Sequence, residues 1–166
     1  MQRVHKLVLP QQRLAEPAVG TGEFRWGSKH RHAGGVFHWE TPIMKALSVR
    51  QPFAAFIAAE RKLVELRSWS TNYRGPLLIL ASAQKHEAWD DYELTEPDVI
   101  PHLTRGVAIC KVQLVDVRPS VPQDQRKSLY RGDLTGCFSW VLEDPVPVEQ
   151  RPVKGRLMLF DVQGFD

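Results

Sequence analysis

The chain has 166 residues, of which 43% are hydrophobic and 25% charged, with 12 prolines, 11 glycines and two cysteines. That suits one domain of ordinary size with a tail, and excludes collagen-like, coiled-coil and wholly disordered classes. The formal net charge is +3, but residues 1–43 hold six Lys/Arg against three Asp/Glu, while residues 44–166 hold sixteen of each. The excess belongs to the first segment, so any argument for a polyanionic partner rests on local charge.

Residues 1–43 carry Pro10, Pro17 and Pro42, five glycines and no sustained hydrophobic period. They read as a poorly ordered extension, with a domain over 44–166 that starts at Met44. Leu7-Val8-Leu9 is too short for a signal-peptide core, and no apolar run approaches the ~20 residues of a membrane span. No membrane association and a cytoplasmic location are expected. His30, His32 and His38 have no cysteine beside them to complete a ligand set, so no metal and no cofactor are expected.

From Met44 the periodicity sharpens. Lys45–Val49 reads as a strand. Pro52 suits a first helical turn, and Phe53, Phe56 and Ile57 at i, i+3, i+4 predict a short amphipathic helix to about Arg61. Leu63–Trp69 alternates as a strand, Thr71–Gly75 is a polar turn, and Pro76–Ala81 is a continuous apolar run, hence a strand buried on both faces. Residues 83–98 begin as a helix and turn acidic. Gly106–Val117 is a long strand with Ala108, Cys110, Val112 and Leu114 on one face. Residues 118–135 read as a loop. Phe138, Trp140 and Leu142 share a strand face that Pro145 and Pro147 interrupt, and Gly155–Val162 closes the chain with Leu157 and Leu159 on one face. Cys110 and Cys137 lie in strand-like stretches as reduced thiols, without a disulfide partner. Short strands, a helix near the start and no βαβ rhythm point to an α+β fold built on a small curved sheet or barrel.

Within 44–82 stand Lys45, Arg50, Arg61, Lys62, Arg67 and Arg74 against Glu60 and Glu65 only. In an extended strand Glu65 and Arg67 project to the same side, roughly 7 Å apart, and Lys62, at the helix-to-strand turn, has the reach to join them. A guanidinium there can fork onto phosphate or onto Glu65 itself. Tyr73 and Arg74, beside Trp69, Thr71 and Asn72, have the pairing of aromatic and cation that stacks bases and holds phosphates. Ser48, Arg50 and Gln51 form a lip between strand and helix, where Gln51 can equally cap the helix. Trp140, flanked by Phe138 and Leu142 at period two, reads as core.

Three blocks carry a resemblance. Ala46-Leu-Ser-Val-Arg-Gln-Pro-Phe53 is similar to the opening of ASCH domains, members of the PUA-like superfamily. Glu60-Arg-Lys-Leu-Val-Glu-Leu-Arg67 matches their hallmark Gly-x-Lys-x-x-Glu-x-Arg at Lys62, Glu65 and Arg67, with Glu60 in place of the glycine. Ser68–Ile79, Cys137–Pro145 and Val153–Gly155 resemble the strands that follow. The resemblance spans roughly 44–162. It implies a PUA-like barrel of five to six strands with helices at its end, and a cleft beside the first helix that takes RNA, a nucleotide or a nucleoside. Arg50, Gln51, Lys62, Glu65, Arg67, Tyr73 and Arg74 are the expected ligand-binding residues. The alternative is a hydrolase of the same fold, nuclease or amidohydrolase, with Glu65 as acid, base or water-orienting group and Lys62 stabilising an oxyanion. The amidohydrolase branch carries Thr three positions after the motif lysine, where this chain has Glu65.

Overall fold

The computed structural model describes residues 41–86 and 94–165. The proposed extension, apart from its last three residues, and the three histidines weighed as metal ligands lie outside the described residues. So does most of the acidic stretch with its expected helix. The described part of that helix differs from expectation, because Ala83–Lys85 continue a strand.

In chain order the elements are β1 (Ile43–Gln51), α1 (Phe53–Ala58), β2 (Val64–Arg67), β3 (Gly75–Lys85), a 3-10 turn (Ile100–His102), β4 (Ala108–Pro119), α2 (Asp124–Ser128), β5 (Phe138–Pro147) and β6 (Leu159–Gln163). The strands form one mixed sheet in the order β2-β5-β4-β3-β1-β6. β1 and β3 are parallel, joined by the crossover through α1 and β2, and every other pair is antiparallel. Parallel neighbours need such a crossover, because a tight turn can only reverse the chain.

The sheet is not a closed ladder, since β2 and β6 are edges, but it is strongly curled. Four strand spacings of about 4.8 Å would part β2 from β1 in a flat sheet, yet Arg67 Nη2 on β2 donates to the Ser48 carbonyl on β1 at 2.7 Å. The register slips at Val49/Gln51, Ile79/Leu80, Lys111/Gln113 and Leu114/Asp116, and such irregularities bend a strand and increase its twist. The architecture is the α+β, barrel-like PUA fold that the resemblance implies.

Burial follows the alternation. Leu77, Ile79 and Ala81 of β3 join Leu47, Ile57, Val112, Trp140 and Leu142 in the main core. Leu78 and Leu80 face a second cluster with Ala46, Ala108 and Phe160, under β6. β3 is therefore apolar on both faces because both are covered, as the unbroken run predicts. α1 sets Ala55 and Phe56 against Val99. Its start is held by Gln51, whose Oε1 accepts from Ala55 N–H and whose Nε2 donates to the His102 and Thr104 carbonyls.

Several boundaries differ from the periodic reading. Ala108 and Cys110 lie in different clusters, because the slip at Ile79/Leu80 turns the strand between them. Residues 118–135 are not all loop, since α2 forms within them. Pro145 and Pro147 do not interrupt β5. They stand beyond the stretch that β2 pairs, on a free edge where a missing N–H costs no ladder bond. α1 stops at Ala58, and β6 starts only at Leu159, which leaves Leu157 92% exposed. Cys110 and Cys137 are free thiols, and burial pushes the Cys110 thiol up to about 12.

Candidate functional site

Beside α1 the curl of the sheet leaves a cleft of about 1240 Å³, walled by β1, β2, the end of β3, the segment after α2 and residues 152–158. The β2 motif forms one wall. Glu65 and Arg67 stand across from Trp140 and Phe138 in register, so both point to the inside of the curl. Glu65 accepts from Arg67 Nη2 at 3.1 Å through Oε1 and from Lys62 Nζ at 3.3 Å through Oε2. Lys62, Glu65 and Arg67 are thus brought together as their spacing predicts.

Lys62 is 4% exposed. Its ammonium also donates to the Val64 carbonyl at 2.7 Å and the Ser128 carbonyl at 2.6 Å, and it lies 5.2 Å from the Phe53 ring centroid. An ammonium has three N–H donors, and all three have acceptors. Burial lowers its pKa from the ordinary lysine value, and the charge of Glu65 opposes that shift. The side chain therefore joins the start of β2 to the end of α2, a link repeated by the bond from Leu63 N–H to the Lys127 carbonyl at 3.0 Å. These contacts tie the ammonium to the fold on three sides.

α2 is itself fixed by a buried carboxylate. Asp124 accepts from Nη1 and Nη2 of Arg118 (2.6 and 2.8 Å), from Val121 N–H (3.0 Å) and from Ser139 Oγ (2.7 Å). The hydrogen-bonded Arg118 guanidinium holds this carboxyl well below the usual carboxylate range, against the effect of burial. Leu129, left-handed at φ 57°, ends the helix and delivers Tyr130 to the cleft wall.

The motif position that relatives fill with glycine is explained by the backbone. Glu60 has φ 58°, a conformation that glycine adopts freely and that costs a residue with a Cβ about 1–2 kcal/mol.

Four of the seven expected ligand-binding residues line the cleft: Arg50, Lys62, Glu65 and Arg67. Gln51 does not. It is fully buried and engaged at the α1 start and the 3-10 turn, so its capping role is the one realised. Tyr73 and Arg74 also lie away from the cleft. Tyr73 packs on the main core with its hydroxyl on the Pro76 carbonyl. Arg74 closes its own turn on the Thr71 and Tyr73 carbonyls and reaches Asp116 and the Val117 carbonyl on β4. Trp140 is core as expected, 0% exposed, with its indole N–H on the Trp69 carbonyl and its ring edge-to-face with Trp69 at 4.6 Å.

The basic stretch is largely neutralised. Lys45 pairs with Asp161 at 2.8 Å, and Arg61 pairs with Asp98 and Glu96. Missed in the sequence were Tyr130, His86, Lys154 and Arg156, all in the cleft wall. Lys154-Gly155-Arg156 carried one signal, two cations around a glycine with no acid adjacent. Two polar atoms in the wall, Ser48 Oγ and Arg67 Nε, are buried with no hydrogen-bond partner among the described residues. Among the described residues no cluster of His, Cys, Asp and Glu is placed to hold a metal ion, and no helix is long and apolar enough to cross a membrane.

The sequence matches the ASCH domain over residues 47–152, which include the whole of β2 and its motif. The chain belongs to the ASCH domain family. This ASCH domain is similar to solved structures of an ASCH protein from Zymomonas mobilis. The protein itself is 14% identical, with a TM-score of 0.49 over 72% of this chain and 87% of its own. A serine-to-alanine variant of it is 13% identical, with a TM-score of 0.50 over 72% and 88%. No curated protein matches the chain in sequence.

Proposed function

We propose that this ASCH domain binds RNA or a nucleotide in the cleft beside α1. The observation that carries the reading is a set of three cations, Arg50, Lys154 and Arg156. They line the cleft and have no ion pair or hydrogen bond among the described residues. Among the described residues the one carboxylate in the same wall, Glu65, is already engaged by Lys62 and Arg67. Cations gathered on a concave surface without counter-charges focus a positive potential and draw in anions. Phe53, Trp69 and Tyr130 in the wall supply ring faces for bases. The volume, about 1240 Å³, exceeds the ~300–1,000 Å³ of an ordinary small-molecule site.

The test is an anisotropy titration of a labelled single-stranded oligoribonucleotide over a salt series. Three phosphate contacts give a slope of log K against log[salt] of about −2, and Arg50→Ala should reduce it by roughly 0.7. A flat salt dependence, or no saturable binding at low salt, overturns the reading.

A hydrolytic reading draws on Glu65, a carboxylate held between two cations at the cleft wall with His86 in the same lining. With Lys62 engaged, stabilisation of developing charge would fall to Arg67, whose Nη1 has no partner among the described residues. Under this reading the oligonucleotide recovered from the titration is altered in mass, and under binding alone it is unchanged.

A further inference from the structure

The family match ends at residue 152, but the cleft wall does not. Residues 152–158 all line it, as a strap between β5 and β6 without regular secondary structure. Its first end is tied down, with Arg151 carbonyl accepting from Ala108 N–H at 3.0 Å and Val153 N–H donating to the Gly106 carbonyl at 3.1 Å. Its far end is fixed where Met158 takes φ 61° and β6 begins. Between these ends Gly155 presses on β1 so closely that a Cβ there would stand 2.7 Å from Ser48 Oγ. The strap thus lies directly over the Ser48 hydroxyl, which is buried without a hydrogen-bond partner among the described residues.

Lys154 and Arg156 flank that contact point, both exposed and both without a partner among the described residues. Residues two apart keep their Cα atoms within about 7 Å, so two cations stand side by side at the mouth of one cleft. Leu157 beside them is 92% exposed, an apolar side chain available to cover a base or a ribose. A single nucleotide bound at the cleft floor would leave most of this strap unused, whereas a strand running out of the cleft passes over it.

We propose that the Lys154–Met158 strap holds the phosphate backbone of a single-stranded RNA chain, so that the site reads a polynucleotide in preference to a mononucleotide. The proposal rests on the reading above that the cleft takes RNA or a nucleotide, and narrows it.

The experiment compares a single-stranded uridine hexanucleotide with uridine 5′-monophosphate, each titrated into the full chain and into Lys154→Ala/Arg156→Ala. The wild type should bind the hexamer at least tenfold more tightly than the monophosphate. The double variant should weaken hexamer binding about tenfold and reduce its salt slope by about 1.4, at 0.7 per phosphate lost. Its affinity for the monophosphate, which has a single phosphate to contact, should fall by a smaller factor than its affinity for the hexamer. Unchanged hexamer affinity and slope in the double variant overturn the strap, and the cleft reading then stands only if Arg50→Ala lowers the slope. No saturable binding of either probe by the wild type overturns both.

Discussion

Replacing Glu65 with leucine is expected to lower the unfolding free energy by about 3–5 kcal/mol, the range for breaking a buried ion pair from one side. The reason lies with the partners left behind. Lys62, 4% exposed, would keep its two carbonyl acceptors but lose its one counter-charge among the described residues. Arg67, the second cation on the same carboxylate, would then face it unopposed. The strain would reach α2, because Lys62 holds the Ser128 carbonyl. The check is urea unfolding of wild type, Glu65→Leu, Lys62→Met and the double variant. A coupling of roughly 1–3 kcal/mol is expected, with the double variant less destabilised than the sum of the two singles. Additive losses, or a cost below about 1 kcal/mol for Glu65→Leu, would contradict the pair as a structural unit.

Trp140→Ala should be comparably severe, at about 3–5 kcal/mol for removing a fully buried tryptophan. Trp140 is 0% exposed and central to the main core. Its effect should extend to the cleft, since Trp69 takes from it an edge-to-face ring contact and an indole N–H bond to its carbonyl. Trp69 is itself a wall residue. Oligonucleotide affinity should therefore fall even where the variant remains folded. Trp140→Phe, which keeps a ring but loses the N–H, should cost less than half as much. A stability loss under about 1.5 kcal/mol for Trp140→Ala would show that the core does not depend on this ring.

The motif was legible because it obeys a local rule. Glu65 and Arg67 are two apart on a strand, so they share a face whatever the rest of the fold does, and Lys62 is close enough in sequence to reach them. The apolar run of β3 and the Phe138/Trp140/Leu142 stripe were readable for the same reason. Legibility failed where sequence neighbourhood was taken for spatial neighbourhood. Tyr73 and Arg74 follow the motif by a few residues, but their turn lies at β4, where Asp116 and exposed carbonyls satisfy them.

The basic stretch of residues 44–82 misled in a related way. Half of its charge is answered by partners distant in the chain, Asp161 for Lys45, Asp98 for Arg61 and Asp116 for Arg74. Net charge by segment carries no information on such pairings. The cleft cations without partners among the described residues come from both ends of the domain, Arg50 from β1 and Lys154 and Arg156 from the strap. They meet only because the sheet curls, and that curl depends on register slips which no periodic pattern announces. Glu60 is the converse case. Its departure from the family glycine was visible in the sequence, and its positive φ supplies the reason.

The central claim is that the ligand lies in the cleft beside α1, between the motif wall and the strap. Photo-cross-linking of a 4-thiouridine-substituted hexanucleotide, with the attachment points mapped by mass spectrometry, tests it most directly. The account predicts cross-links on Phe53, Trp69 or Tyr130 and on the Lys154–Met158 peptide, competed away by unlabelled RNA. Cross-links confined to the Tyr73–Arg74 turn, or to surfaces outside the cleft, would contradict it.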